Sequence, residues 1–359
     1  MRVIAKVSAS KLYRTVSVPG ENWTGHRSEE NCEEVIVRNL NMATIYYPYF
    51  GKLLDGSYSA HDVHLTWTYV TPPDKLFRQV IESSAHDVAE MSMSGYTMLR
   101  GKGWREYMAL PIFTSRRFRH SALFVRSESA IVSGEQLAGK KVGLPEYHMT
   151  AAVWVRGFLE EDFGVKPGDV QWFTGGAERP GRVERVPLPR EIAARITPIP
   201  SNETLFNMLL DGRLDAVMCA HKPAVAREKD ARVRQLFPNC SQVERNYYRK
   251  HKVFPIMHTL VLRESILKQE AGIARRIHLA LEELKTEFYA KVELLKHHPV
   301  FPWLEDYIEE IEDIMGNDPW AHGIAQNAPA LNKFLDFSYS QGLLHERPRL
   351  EELFLDISH

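Results

Sequence analysis

The chain has 359 residues, of which 44% are hydrophobic and 25% charged, and its formal net charge is −1. This balance is typical of a globular protein with room for two lobes, and it argues against a nucleic-acid or anionic-membrane surface. Three widely separated cysteines give neither a disulfide framework nor a structural zinc spacing: Cys32, Cys219 and Cys240. With a polar N-terminus and no apolar run of membrane-spanning length, the sequence predicts a cytoplasmic protein without membrane partners.

The first part of the chain predicts the start of an α/β lobe. Residues 1–34 contain no recognisable site, and we expect a leading hairpin or an arm packed on a neighbouring subunit of a homo-oligomer. Apolar patterning then predicts a strand at 35–40, a helix at 46–54 and an alternating strand at 63–70.

Two later segments share one pattern. Residues 71–92 and 198–220 each have a Pro-containing entry, a capping residue, a short amphipathic helix opened by Leu-Phe, and an Asp before a brief apolar strand. We interpret them as βαβ-like units of two similar lobes that face each other. Because ligands of open α/β sheets bind beyond the carboxyl ends of the strands, both strand ends are expected to point into one cleft.

A cluster of charge precedes a further strand in residues 111–126, PIFTSRRFRHSALFVR. Guanidinium groups suit bidentate capture of carboxylates, and three stand here: Arg116, Arg117 and Arg119. His120, which opens the strand, is able to move a proton near neutral pH. Much later, His258-Thr259 opens a similar aliphatic run, and the two runs predict paired strands that cross between the lobes.

The remaining patterns complete the second lobe and the C-terminal region. A strand at 141–145 leads to a helix at 151–163, whose N-terminal amides favour an anion. Three helical segments follow the second crossing, and we expect them to pack on the first lobe: 267–296, 303–315 and 328–341. No Walker, dinucleotide or Gly-x-Ser-x-Gly fingerprint occurs.

Taken together, an ordered set of motifs resembles the 4,5-dihydroxyphthalate decarboxylase family over roughly residues 35–345. The motifs are Asp87–Ser92, Arg119-His120-Ser121, Val142–Tyr147, Met149-Thr150-Ala151, Thr174-Gly175-Gly176, Glu244–Tyr248 and Phe254–Thr259. The resemblance implies a two-lobed type 2 periplasmic-binding-protein-like α/β fold, with an interlobe cleft and two crossing strands. We place lobe one at 35–125 together with 256–359, and lobe two at 126–255.

The resemblance also implies the reaction, which is loss of one carboxylate from 4,5-dihydroxyphthalate to give 3,4-dihydroxybenzoate. Such a reaction needs a general acid at the ring carbon that loses CO2, a holder for the retained carboxylate and a partner for the phenol oxygen. His120 and His258 are the candidates for proton transfer and phenol contact, with their roles left open. Because neighbours alternate along an extended segment, Arg119 or Arg117 is favoured over Arg116 as the carboxylate ligand.

Further substrate contacts are expected from side chains at the strand ends: Ser92, Ser94, Tyr147, His148, Thr150 and His221. His148 and His221 stand where the family pattern carries Gln and Arg, so a related hydroxylated aromatic acid is an alternative substrate. For the serines and the threonine, helix capping is the alternative role.

We expect no cofactor. The alternative is a divalent-metal site in the closed cleft, formed by imidazoles with Glu146 or Glu90: His120, His148, His221 and His258. The rival to an enzyme is a non-enzymatic solute-binding protein of the same fold for an aromatic or other small carboxylate, because fold does not fix function.

Overall fold

The structure, a computed structural model, describes residues 37–227, 232–298 and 300–357. The arm expected at 1–34 lies outside these residues. Within them the chain forms two mixed β-sheets, each flanked by helices. No helix in the described residues is both long enough and apolar enough to cross a membrane.

The first sheet contains the early strands and one strand that returns late in the chain. Its strands are β1 (Arg38–Thr44), β2 (Ser57–Ala60), β3 (Val63–Tyr69), β4 (Val88–Ser92), β5 (Tyr107–Ala109), β6 (Ser115–Arg116) and β13 (Ile256–Arg263). Their order is β2-β3-β1-β4-β13-β5, with β6 paired to β13. Strands β3, β1 and β4 run parallel, and β13 is antiparallel to β4. We call this sheet and its helices the first lobe.

The second sheet repeats this plan in the middle of the chain. Its strands are β7 (Leu123–Arg126), β8 (Lys141–Leu144), β9 (Gln171–Thr174), β10 (Ile196–Pro198), β11 (Ala216–Met218) and β12 (Val233–Gln235). The order is β10-β9-β8-β11-β7-β12. Here β7 is antiparallel to β11, as β13 is to β4. This sheet and its helices form the second lobe.

The paired pattern at 71–92 and 198–220 produces equivalent units in the two lobes. In the first lobe β3 is followed by helix α1 (Pro73–Ser83), which buries Leu76, Phe77 and Val80 before β4 begins. In the second lobe the helix α5 (Leu205–Leu210) connects β10 to β11. The Thr204 side chain caps α5 by accepting a hydrogen bond from the amide of Asn207, as short polar residues at helix starts do.

Two short segments cross between the lobes side by side. The Arg117 amide donates to the Pro255 carbonyl at 2.9 Å, next to the Arg116–Ile256 pair of β6 and β13. The two strands that follow the crossings start differently. His258 is the third residue of β13, whereas His120 lies in a 3-10 turn and β7 begins only at Leu123.

The other helices cover the two sheets. They are α2 (Met93–Gly101), α3 (Thr150–Phe163), α4 (Arg190–Ala193), α6 (Cys240–His251), α7 (Glu264–Gln269), α8 (Ile273–His297), α9 (Leu304–Met315), α10 (Ile324–Ser340) and α11 (Leu350–Leu353). Short 3-10 turns occupy Pro48–Asp55, His120–Ala122, Gly134–Leu137, Pro167–Asp169 and Ala224–Ala226. Helix α8 packs on the first lobe through side chains such as Ile277 and Leu281, which share a core with Leu40 and Leu262.

Helix α10 packs on the second lobe, although the sequence patterns led us to expect the C-terminal helices on the first. Its Phe334 ring lies 6.0 Å from Trp154 of α3, centroid to centroid. Phe337 fills the space above Gly157, where an added Cβ would come within 2.2 Å of the ring. The absence of a side chain at Gly157 therefore lets α10 approach α3 closely and pack on the second lobe.

Candidate active site

The polar ends of the strands from both lobes face each other. Helix α2 follows β4 in the first lobe, and α3 follows the β8 end in the second. The amide of Ser94 at the start of α2 donates to Thr150 Oγ1 at the start of α3, at 3.0 Å. Because these two helix starts touch, the carboxyl ends of β4 and β8 meet in the space between the lobes, where open α/β sheets bind ligands.

His258 forms a hydrogen-bonded pair with Glu90 at this place. Its Nδ1 lies 2.6 Å from Glu90 Oε1, across the β13–β4 ladder. The Glu90 residue is 0% exposed, whereas the His258 side chain keeps 15% of its surface exposed. With Nδ1 donating to the carboxylate, the ring is oriented and Nε2 is directed away from Glu90. An imidazole oriented by a carboxylate in this way is chemically able to transfer a proton.

Glu90 is itself held by two further donors. The Tyr47 hydroxyl donates to Oε1 at 2.6 Å, and the Ile45 amide donates to Oε2 at 2.9 Å. Burial, followed by the negative charge of Glu90, raises the pKa of Tyr47 well above its usual value. The phenol therefore remains a donor at neutral pH, and both oxygens of Glu90 are fixed in place.

Arg119 is a buried cation without a carboxylate partner among the described residues. It is 8% exposed; its Nη1 donates to the Ala220 carbonyl at 2.9 Å, and its Nε contacts Met257 Sδ at 3.1 Å. Burial, followed by the positive charge of Arg117, lowers the pKa of Arg119 to about 9. A carboxylate brought beside this guanidinium would supply the direct ion pair that no described residue makes with it, so the position favours an anionic ligand.

The two neighbouring arginines are placed differently. Arg116 is buried against the C-terminal region, where its Nη2 donates to the Ala321 carbonyl and to Asn327 Oδ1. Arg117 is exposed. Of the three clustered arginines, Arg119 is the one whose side chain contacts both the end of β11 and the start of β13.

His120 belongs to an aromatic cluster in the second lobe. Its ring stacks on Phe158 at 4.0 Å and lies 5.1 Å from Tyr247, centroid to centroid. Burial lowers the pKa of His120 to about 4, so the ring is neutral at neutral pH. The ring contacts of His120 and those of His258 have no residue in common, so the two expected imidazoles lie in different surroundings.

An ion-pair network holds a second-lobe loop over the cleft. Glu146, at the end of β8, binds the side chains of Arg182 and Arg185, and His148 Nδ1 lies 2.5 Å from Glu184. Burial alone would raise the pKa of Glu146, but Arg185, His148 and Arg182 outweigh it and hold the pKa below its usual value.

The same loop reaches the first lobe beside His258. The guanidinium carbon of Arg185 lies 5.4 Å from the centre of the Phe77 ring, and that ring packs edge-on against His258 at 5.0 Å. Lys102 of the first lobe donates to the Pro187 carbonyl of the loop at 2.6 Å. Through the Phe77 ring, Arg185 is thus a second cation in the neighbourhood of His258.

Among the other expected contact residues, the buried Ser94 hydroxyl has no hydrogen-bond partner in the described part of the chain, whereas Ser92, Tyr147 and His221 have local partners. The Ser92 side chain caps α2 by accepting from the Gly95 amide. The Tyr147 ring is buried beneath the Arg156 guanidinium, 3.7 Å from its carbon atom. His221 is exposed and lies 3.1 Å from Glu178. Contact with the Cys219 sulfur, followed by the Glu178 carboxylate, raises the pKa of His221 to about 9.

The four imidazoles that were considered as metal ligands each lie in a different setting in the structure. His120 is among aromatic rings, His148 pairs with Glu184, His221 with Glu178 and His258 with Glu90. In the described part of the chain, three-residue groups able to hold a metal ion are Glu146–His148–Glu184 and His278–Glu282–His322.

Sequence reasoning named Glu90 only as an alternative metal ligand, and it missed Tyr47 and Arg185 as parts of this site. A signal existed for Glu90, because it is the one charged residue in the otherwise uncharged strand Val88–Ser92, and every residue of that strand is buried. An unpaired carboxylate in such a strand is costly, so its presence indicates a specific partner. No periodic pattern marks Arg185, which lies in an irregular loop.

The fold and this site define a class of protein: two lobes of the periplasmic-binding-protein kind with polar groups gathered between them. The crystal structure of the periplasmic aliphatic sulphonate binding protein SsuA from Escherichia coli matches with a TM-score of 0.52 at 11% identity, over 88% of this chain and 97% of that chain. At this identity the likeness concerns the fold alone, and it confirms the predicted fold class. No family model matches the chain.

Sequence comparison identifies the family. A curated 4,5-dihydroxyphthalate decarboxylase from Comamonas testosteroni is 33% identical over 316 residues, which cover 88% of this chain and 96% of the relative. A second protein of that name, from Pseudomonas putida, is 35% identical over 211 residues, covering 59% of this chain and 81% of the relative. The chain belongs to the 4,5-dihydroxyphthalate decarboxylase family, which confirms the resemblance seen in its motifs.

Proposed function

We propose that this protein is a carbon–carbon lyase that converts 4,5-dihydroxyphthalate to 3,4-dihydroxybenzoate and CO2 in the cleft between its lobes. The observation that carries the proposal is the placement of the His258–Glu90 pair and the unpaired Arg119 cation in a chain of this family. The proposal includes a cytoplasmic, homo-oligomeric enzyme and a reaction that needs no cofactor.

The reaction requires a proton at the ring carbon that carries the departing carboxylate. The hydroxyl group para to this carbon donates electrons into the ring as the proton arrives, which yields a dienone-like intermediate. The carbon–carbon bond then breaks, its electron pair restores the aromatic ring and CO2 departs. One proton is taken up and one CO2 is released, so the reaction needs neither an oxidant nor a reductant.

His258 is the proposed general acid. Its Nδ1 is engaged by Glu90 at 2.6 Å, so the proton for the ring carbon comes from Nε2, on the side where the imidazole is partly exposed. Glu90 is a positioning residue, because it acts on the substrate through the orientation and charge that it gives to this ring.

Arg119 is the proposed holder of the retained carboxylate. Two carboxylates on adjacent ring carbons are a feature of the substrate, and a cation fixed beside one of them leaves the other next to the proton donor. Arg185, stacked over Phe77 and paired with Glu146, is a second cation to which a further anionic group of the substrate is attracted. A dicarboxylate that contacts these cations and His258 of the first lobe favours the closed arrangement of the lobes.

A direct assay tests the function. Purified protein is mixed with 4,5-dihydroxyphthalate, with and without a chelator, and CO2 and 3,4-dihydroxybenzoate are measured together. We expect equal amounts of both products, unaffected by the chelator. Saturable binding of the dicarboxylate without either product would replace the proposal with the solute-binding alternative.

A substrate series sharpens the result. Unsubstituted phthalate lacks the para hydroxyl that the mechanism uses, and 3,4-dihydroxybenzoate keeps the carboxylate that Arg119 would hold but lacks the carboxylate that departs. We expect the first to bind without reacting and the second to bind weakly as a product. Comparable turnover of phthalate would contradict the proposed role of the para hydroxyl.

A further inference from the structure

A second cluster of potential ligands lies in the first lobe, away from the residues that form the cleft. His278 and Glu282 are four positions apart on α8, so their side chains lie on one face of the helix. His322 approaches them from the segment between α9 and α10. One nitrogen or oxygen atom from each of the three side chains lies within 4.8 Å of the others.

Burial and missing partners distinguish this cluster from an ordinary surface ion pair. His322 is 6% exposed, and its Nε2 has no hydrogen-bond partner among the described residues. The Nδ1 atom of His278 is likewise buried without a partner there. A buried imidazole nitrogen without a hydrogen bond is costly, and a bound cation would satisfy it.

We propose that His278, Glu282 and His322 bind one divalent transition-metal ion of the zinc class. Two imidazoles with one carboxylate are a ligand set that suits such an ion, with water at the fourth position. Glu282 Oε1 already lies 2.6 Å from His322 Nδ1, so a small rotation of either side chain opens the space for an ion between them.

The protonation states of the ligands fit this role. Burial is the main cause that lowers the pKa of both His278 and His322, against the opposing effect of the Glu282 carboxylate, and it favours the neutral form of each ring. Neutral imidazole is the form that binds a metal ion, whereas the protonated form has no free nitrogen lone pair.

The neighbouring lysine has its own acceptors. Lys285 Nζ lies 3.1 Å from Glu282 Oε2 but also 2.8 Å from Asp318 Oδ2, and it is 3.5 Å from the Trp320 carbonyl. Asp318 therefore compensates the lysine charge and leaves Oε1 of Glu282 for the ion. By contrast, in the group around Glu146 two arginines compete with any cation for the same carboxylate.

An ion at this position would connect α8 to the segment that supports the crossing between the lobes. Ala321, next to His322, supplies the carbonyl that accepts from Arg116 at the first crossing. Asn327 binds both this carbonyl and Arg116. The expected effect of the ion is therefore on the stability of the folded chain, with no part in the chemistry in the cleft.

Zinc binding by the full chain tests the inference. Protein freed of metal with a chelator is dialysed and titrated with ZnCl2 by calorimetry, and its Tm is measured with and without zinc. We expect one ion per chain at this site and a higher Tm. Because loss of an outer-shell partner alone costs ~10–100-fold in metal affinity, His278→Ala and His322→Ala should each weaken zinc binding by at least ~100-fold.

Two control variants make the outcome specific. His297→Ala removes an exposed histidine from the same helix and should leave zinc binding unchanged. His148→Ala removes the imidazole of the other candidate group and should also leave it unchanged. Because His278 is only half-buried, its variant stays informative if the His322 variant fails to fold. No zinc binding by the wild type, equal binding by the His278 variant, or loss of binding in the His148 variant would each overturn the proposal.

Discussion

Replacing Glu90 by Gln separates the charge beside His258 from the shape of the site. The Glu90 carboxylate accepts from three donors: His258 Nδ1 and the Tyr47 hydroxyl at Oε1, and the Ile45 amide at Oε2. A Gln carbonyl can take the place of Oε1, but its NH2 group then faces the Ile45 amide, donor against donor. A buried amide left without an acceptor costs about 1–3 kcal/mol.

The same change has a calculable effect on turnover. A positioned general acid contributes ~10²–10⁴-fold, which corresponds to roughly 3–5 kcal/mol at 1.36 kcal/mol per tenfold. Because Glu90 reaches the substrate only through His258, the loss in Glu90→Gln should approach but not exceed this range. We expect kcat to fall by about 10²-fold or more, with a Tm decrease of about 2–4 °C for each kcal/mol of lost stability.

A double-mutant cycle is the assay that isolates this role. The kinetic parameters kcat and KM for 4,5-dihydroxyphthalate are measured for wild type, Glu90→Gln, His258→Gln and the double variant. If Glu90 acts through His258, the two losses are not additive, and Glu90→Gln has little further effect once His258 is absent. The Tm values of the four proteins give the stability effect separately.

Two results would refute this reasoning. Wild-type kcat in a folded Glu90→Gln protein would remove the carboxylate from the proton transfer. Fully additive losses in the cycle would mean that Glu90 contributes by a route other than the His258 ring, such as a general effect on the lobe.

Three further predictions follow from the placement of individual side chains. Arg119→Met should raise KM by about 10–100-fold, since a hydrogen bond to a charged group contributes about 1.5–3 kcal/mol. The control Arg117→Met alters an exposed neighbour and should change KM little. Equal effects of the two variants on KM would contradict the assignment of Arg119 as the carboxylate ligand. His120→Phe should keep kcat near the wild-type value because the ring is neutral and stacked; a large kcat loss in a protein with wild-type Tm would contradict this. The pKa of Glu146 is lowered in the folded protein, so its ion pairs stabilise the fold at pH values above the usual carboxyl pKa of 4.5 and lose this effect as the pH falls through the folded pKa. The difference in Tm between wild type and Glu146→Gln should therefore shrink from pH 7 to pH 3. A difference that stays constant over this range would contradict a stabilising role of the ion pairs.

Local patterns were sufficient to predict much of the fold. The helix expected at 151–163 is α3, Thr150–Phe163, and the strand expected at 141–145 is β8, Lys141–Leu144. Hydrophobic periodicity and the positions of Gly and Pro are patterns of a few neighbouring residues, so each of these elements can be predicted from its own segment of the sequence. Because the pattern at 71–92 recurs at 198–220, the sequence also predicted two similar lobes.

Similar local sequences did not predict similar surroundings for His120 and His258. Both precede a hydroxyl residue and an aliphatic run, but His258 lies within β13 opposite Ser92. His120 lies in a 3-10 turn, packed on Phe158 from a different element. The environment of each ring is set by residues distant in sequence, and a short motif contains no information about them.

The charged residues of the site could be predicted only in part, because some of their partners are distant in sequence. The cluster around Arg119 was visible because its arginines are adjacent in the chain. The pairing of Glu146 with Arg182 and Arg185 joins a strand end to an irregular loop. Ion pairs between distant segments follow from the tertiary fold and have no signature in periodicity.

The most direct test of the central claim separates binding from turnover at His258. Affinity for 4,5-dihydroxyphthalate is measured by calorimetry, and turnover by release of 3,4-dihydroxybenzoate, for wild type, His258→Gln and the exposed control His297→Gln. The proton-donor role predicts that His258→Gln binds the dicarboxylate nearly as well as wild type but turns it over ~10²–10⁴-fold more slowly, while the control matches wild type in both. Turnover by His258→Gln at the wild-type rate would contradict the assignment of His258 as the acid.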